Sequence, residues 1–175
     1  EHMRNYSLLL ERISTWLNPE GKLFVHIFVH RDVPYRYEVK DDSDWMSKYF
    51  FSGGIMPSAH LLHYFSDHMK VKNYWAVDGI NYQKTARAWL ENMDNEKSKV
   101  FKVLKKHYGN NDYKKWFHYW RVFFMSVEEL WKHRKGSEWF VGHYLLEKTN
   151  DSQNITYIKS SNQSHQIKEV QHEHL

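Results

Sequence analysis

The stretch EHMRNYSLLLERISTWLNPEGKLFVHIFVH, residues 1–30, holds two periodicities side by side. From Met3 to Leu17 the apolar residues Tyr6, Leu9, Leu10, Ile13, Trp16 and Leu17 recur at three- and four-residue spacings, the mark of one amphipathic helix. Asn18, Pro19 and Gly21 end that helix. Lys22 to His30 is short, apolar and rich in β-formers, and it reads as a strand buried on both faces of a parallel sheet. A helix feeding such a strand is half of a βαβ unit, so the fold class is α/β.

Working outward, Arg31 to Asp44 is polar, contains Pro34 and an acidic cluster at Asp41, Asp42 and Asp44, and reads as a loop. An aromatic segment, Trp45 to Phe51, and the turn Ser52-Gly53-Gly54 follow. Pro57-Ser58 is expected to open a helix of about ten residues ending near His68, with Ser58 as its N-cap. Val71 to Val77 is a second strand closed by Asp78-Gly79. Asn81 to Asn92 and Glu96 to His107 have helical spacing, as one long helix bent around Met93 to Asn95 and stopped by Gly109 and Asn110. Tyr113 to Lys132 is a further long helix with a wide apolar face, and Trp139 to Leu146 alternates as a last strand. Beyond Lys148 the composition turns to Ser, Asn, Gln, His and Lys, which predicts a disordered polar tail over 149–175. The domain expected to fold is 1–148.

A hydrophobic content of 41% and an aromatic content of 17% are enough for one packed core and leave rings over for lining a pocket. With no cysteine, a disulfide framework, a thiolate zinc site and a cysteine nucleophile are all excluded. His60 and His63, with Asp67 and His68 nearby, lack a third ligand at fixed spacing and are read as surface residues, so no metal site is expected. The net charge of +4 is spread among acidic residues, which argues against a nucleic-acid partner. No apolar run approaches the roughly 18 residues of a membrane span, and no signal pattern opens the chain. A cytoplasmic protein without stable membrane insertion is expected.

Four pieces of the chain together resemble the coclaurine N-methyltransferase and cyclopropane-fatty-acid synthase family. They are residues 1–30, the box YFFSGGIMPS at 49–58, the helix start NYQKTARAWL at 81–90 and the segment FHYWRVFF at 117–124. They stand in family order over residues 1 to about 148. The resemblance implies the C-terminal half of a class I, Rossmann-like methyltransferase with a helical insertion, dependent on S-adenosylmethionine. No G-x-G turn follows a strand near the N-terminus, so the cofactor residues are expected upstream of Glu1 in a longer protein.

Carried over residue by residue, the resemblance places Glu1 and His2 on the family's Glu-His pair, which faces the reacting methyl group and the incoming nucleophile. Such a pair suits methylation of an amine, because an ammonium has no free lone pair and a base must take its proton. His26 falls where the cyclopropane synthases keep a His beside an active-site anion, and it is read as support for the pair. Trp120 and Phe123 match the aromatic wall of the amine pocket, with Tyr49, Phe51, Gly53 and Gly54 contributing to the same wall. Aromatic faces attract a protonated or quaternary amine by about 0.5 to 2 kcal/mol.

Val122 stands where the lipid-modifying branch has a Tyr, Ser126 where many members have a Cys, and Ser52 where the family has Pro. The small-molecule amine branch is thereby favoured. The alternatives are methylation or cyclopropanation of lipid acyl chains, and a truncated product without catalysis. Half a sheet would also leave the Leu23 to Val29 edge and an apolar patch of about several hundred Å² open, so self-association is expected.

Overall fold

The computed structural model describes residues 1–51 and 53–149. Ser52 and the expected tail from 150 onward lie outside the described residues, while Thr149 still bonds the carbonyls of His68 and Ser66. The described residues form α1 (Tyr6–Trp16), β1 (Lys22–His30), β2 (Tyr35–Arg36), α2 (Trp45–Tyr49), β3 (Ile55–Met56), β4 (Met69–Val77), α3 (Ile80–Asn95), α4 (Lys97–Lys132) and β5 (Trp139–Lys148). Asn5 caps α1, its side-chain oxygen accepting the Leu8 N–H at 3.0 Å.

The main sheet has the order β1-β5-β4, with β5 antiparallel to both neighbours. β1 and β4 are therefore parallel to each other but never touch, because the last strand is inserted between them. This corrects the expectation of a strand in an all-parallel setting buried on both faces. β1 alternates instead: Leu23, Val25, Ile27 and Val29 turn inward, while Phe24 and His26 are exposed, Phe24 by 55%. The inward face meets α1, where Tyr6 and Leu10 pack on Ile27, Val29, Met69, Tyr144 and Leu146. Among the described residues, Tyr82 and Trp131 cover the outward face near Phe28.

The helix expected from Pro57 to His68 is reduced to a 3₁₀ turn at Leu61–Tyr64. The backbone there is already taken: Ser58 bridges His30, the Ala59 N–H donates to the His30 carbonyl, and the Ala59 carbonyl accepts the Tyr144 hydroxyl. A segment held by three tertiary bonds has no groups left to nucleate a helix over its first turn.

The helical part is a folded-back stack. α3 runs to Asn95, Glu96 turns the chain, and α4 is broken at Gly109, whose φ of 76° and ψ of 176° suspend the helix without ending it. Sequence spacing put a full stop at this glycine; the structure resumes the helix immediately. Met93, Leu104 and Phe117 form a second, smaller core between the three helical pieces. Two ion pairs tie α3 to the second part of α4: Arg121 grips Asp94 through two bonds of 2.7 and 2.9 Å, and Arg87 reaches Glu128 at 2.9 Å. Glu128 is only 5% exposed, so removing its partner strands a buried carboxylate. Arg87→Ala is expected to cost about 1 to 2 kcal/mol, discounted because the guanidinium itself is half exposed, and Glu128→Gln should cost less. Urea titration of the two variants checks the order.

Candidate active site

The two strands β2 and β3 pair as a small separate ladder, Tyr35 opposite Met56 and Arg36 opposite Ile55. That ladder, α2 and the helical stack enclose a cavity of about 520 Å³, large enough for a compact ring-bearing ligand. Phe28 from β1 and Tyr35 and Tyr37 from the β2 segment form one wall. Tyr82 and Trp89, seven residues apart and so on one face of α3, form another. Phe123, Val127 and Leu130 recur along α4 at the same helical period and close the third, with Phe51 beside them. The rings brace each other: Phe28 meets Tyr82 and Trp131 edge-on at 4.7 and 4.9 Å, and Tyr37 stacks on Phe51 at 4.8 Å.

Glu1 is held beside this wall by its backbone, its carbonyl accepting the Ile55 N–H at 2.8 Å. The approach needs a glycine, since a Cβ on Gly54 would sit 2.6 Å from the Glu1 carbonyl oxygen and 3.2 Å from the Tyr37 ring. The Glu1 carboxylate lies 3.7 Å from His2 Nε2, with Glu1 31% and His2 78% exposed. Its negative charge reaches the phenols of Tyr37 and Tyr82, which burial has already pushed up. Burial also raises Tyr35, against the pull of the Trp139 indole N–H that donates to its hydroxyl at 2.9 Å. All three phenols thus stay neutral, as hydrogen-bond donors with neutral π-faces.

The residues singled out from sequence fall into three groups. Glu1, Gly54, Phe51 and Phe123 come together around Tyr37. Tyr49 and Trp120 stand one layer back: Tyr49 packs edge-on against Tyr119 at 5.0 Å, and Trp120 against Phe50 at 4.9 Å. Trp120 also lines a second, open apolar groove of about 440 Å³ between α3 and α4. Gly53 takes a φ of 80° in the turn and has open space where a side chain would stand. His26 lies beyond Tyr82, 6.4 Å between ring centres, and its Nδ1 is 2.9 Å from Nε2 of His143, directly opposite on β5. Among the described residues no group of three or more His, Asp or Glu is placed to hold a metal ion.

His30, which had no assignable role from sequence, is a buried clamp. Its Nδ1 accepts the N–H groups of Asp32 and Val33, so its proton sits on Nε2 and is donated to Glu138 at 3.0 Å. This fixes the chain direction into Tyr35.

Burial of tyrosine has a consequence for stability. The Tyr6 hydroxyl is buried with no hydrogen-bond partner among the described residues and is pushed up to about 12, by burial first and then by the Glu1 charge. A folded-state pKa above the unfolded one gives stability that is present below about pH 10 and is lost as pH rises toward the folded value. Tyr37 and Tyr144 shift the same way. Urea melts should therefore show stability falling above pH 10 by up to ~1.4 kcal/mol per unit for each such phenol. Tyr6→Phe, which removes an unpaired buried hydroxyl, is expected to gain about 1 kcal/mol at neutral pH and to flatten that slope.

Among the described residues, Gly79 follows a strand and opens a helix, the place where an S-adenosylmethionine cradle would need open space. It is packed against the carbonyls of Trp139, Trp131 and Gly136 and leaves no space even for a Cβ. Gly79 therefore does not fit a cradle for the adenosyl group.

A terminal strand inserted antiparallel between two parallel ones, fed by a helix and carrying a helical wall over its edge, is the architecture of Rossmann-like methyltransferases. Residues 1–131 match the mycolic acid cyclopropane synthetase family, and the chain belongs to it. It is 37% identical over 153 residues to (S)-coclaurine N-methyltransferase of Papaver somniferum, covering 85% of this chain and 43% of that protein. Pavine N-methyltransferase of Thalictrum flavum subsp. glaucum is 33% identical over 151 residues, covering 85% and 42%. The crystal structure of coclaurine N-methyltransferase bound to N-methylheliamine and SAH superposes with a TM-score of 0.77 at 36% identity, over 85% of this chain and 44% of that one. Mycolic acid cyclopropane synthase CmaA1 shares the fold alone, at a TM-score of 0.59 and 12% identity over 83% and 53%. The chain spans about 43% of the length of the curated relatives it matches. No helix among the described residues is long and apolar enough to cross a membrane.

Proposed function

We propose that residues 1–148 are the acceptor-binding part of an S-adenosylmethionine-dependent N-methyltransferase acting on a small aromatic amine. The observation that carries this reading is the cavity of about 520 Å³ walled by neutral aromatic rings with the Glu1 carboxylate at its rim tyrosines. The likeness to alkaloid N-methyltransferases supports it. S-adenosylmethionine, when bound, supplies the methyl group.

The chain's own residues hold the amine and take its proton. Phe51 and Phe123 cover the amine with ring faces that suit a cation, and Tyr49 and Trp120 stiffen that wall from behind. Gly54 lets the turn pass close to Glu1, and Gly53 takes the positive φ that the turn needs. Glu1 accepts the amine proton, and the exposed His2 passes it to solvent. His26 supports the arrangement through Tyr82. The same proposal includes self-association through the outer edge of β1, beside the exposed Phe24.

The test is a chimera in which the portion of the Papaver relative that this chain does not cover is fused to residues 1–149. Given labelled S-adenosylmethionine, it is expected to label a tetrahydroisoquinoline amine. Label entering phospholipid vesicles and no soluble amine would decide for the lipid branch, and label in neither would end the acceptor-side reading.

A further inference from the structure

Two apolar spaces lie against the helical stack, the cavity of about 520 Å³ and the open groove of about 440 Å³ between α3 and α4. Among the described residues, Trp89 lines both, and no other residue does. Its ring contacts place the indole between the two. It meets Tyr82 of the cavity wall at 6.3 Å between ring centres, and Phe124 of the groove at 5.9 Å. α4 divides at the same level, with Phe123 lining the cavity and its neighbour Phe124 the groove.

The groove is a dry slot. Its lining is apolar or aromatic apart from Asn92 and His107. Met93 and Leu104, buried in the smaller core, form its floor, and the exposed Val103 stands at its rim. The partition itself is held loosely. Trp139 is tied to Tyr35 by its indole N–H and Trp131 is buried, whereas Trp89 is 46% exposed and its indole N–H takes no hydrogen bond among the described residues.

A single flat side chain between two apolar spaces is a length stop. A ligand arm running from the cavity toward the groove collides with the indole, and close-packed walls do not yield to such an arm without cost. With the indole gone, the same arm finds apolar surface to bury. Resting on the reading of the cavity as the amine pocket, the geometry points to Trp89 as a specificity-determining residue that limits the length of the acceptor. The groove behind it is a latent extension of the pocket, suited to an uncharged aryl or alkyl arm on the amine.

The experiment is calorimetric titration of this chain with tetrahydroisoquinoline and with a twin carrying a biphenylmethyl arm. The parent chain is expected to hold the short amine more tightly. Trp89→Ala removes a ring from the cavity wall and should weaken the short amine, yet raise the long-to-short affinity ratio by about tenfold or more. Trp89→Leu should move the ratio the same way by less, and it keeps the test alive if the alanine variant does not fold. Val103→Trp, which fills the groove from its rim, should cancel the gain when combined with either change. A ratio that stays put in both Trp89 variants would overturn the proposal, as would a parent chain that binds both amines equally. A gain that survives Val103→Trp would overturn it too, since the arm then lies outside the groove. Binding of the short amine with an unmoved ratio removes only this inference, whereas a chain that binds neither amine, with or without Trp89, removes the amine pocket as well.

Discussion

Tyr144→Ala is expected to lower stability by about 4 kcal/mol, a fall of roughly 10 °C in melting temperature for a domain of this size. Tyr144 is fully buried at the centre of β5, packs against Tyr74 at 4.9 Å between ring centres, and donates its hydroxyl to the Ala59 carbonyl at 2.8 Å. Truncation removes the largest fully buried side chain of the main core and frees the carbonyl that keeps the 57–60 segment on β1. Tyr144→Phe separates the two effects: it keeps the ring and loses the bond, for about 1 kcal/mol. Urea titration of both variants reads the difference. A loss below 1 kcal/mol for the alanine variant would mean that the sheet and α1 do not pack through this residue.

Glu1→Gln, made in the chimera described above, is expected to reduce kcat for amine methylation by about 10² to 10⁴ with KM little changed. Glutamine keeps the shape and the backbone bond to Ile55 but cannot take a proton at working pH. His2→Ala should cost much less, because His2 is largely exposed and water can replace a relay. The loss should shrink when the acceptor is supplied above its own pKa, where the amine arrives unprotonated. A glutamine variant with unchanged kcat at every pH would assign Glu1 to structure alone.

Local chemistry told most of the elements. The apolar run at Lys22–His30 is a strand end to end, and the spacings at Tyr6 to Trp16 and along α3 and α4 fold as helices. Strand pairing was not legible, because whether Val29 faces Phe140 or some other partner depends on residues more than a hundred positions away. For the same reason the 57–68 segment looked helical: its apolar spacing is real, and the bonds that override it come from His30 and Tyr144. At the site, Phe51 and Phe123 lie on the cavity wall, while Tyr35 and Tyr37 were hidden in a stretch dismissed as polar loop. Their alternation about Arg36 was the available signal. Tyr82 and Trp89, seven apart on one helix, were another.

The insertion of β5 between β1 and β4 has a kinetic side. Among the described residues, neither of the two earlier strands has a hydrogen-bonding partner in the main sheet until the last one arrives: Lys22 must meet Glu147, and His30 must meet Trp139. During synthesis both strands leave the ribosome before β5, the partner they share, while α3 and α4, whose contacts are closer in sequence, can form first. The sheet then closes in a single late event of high contact order, expected to take milliseconds to seconds, far slower than the helical stack. Nascent chains stalled before Trp139 should therefore be helical but protease-sensitive through β1 and β4, and release past Lys148 should protect both strands at once.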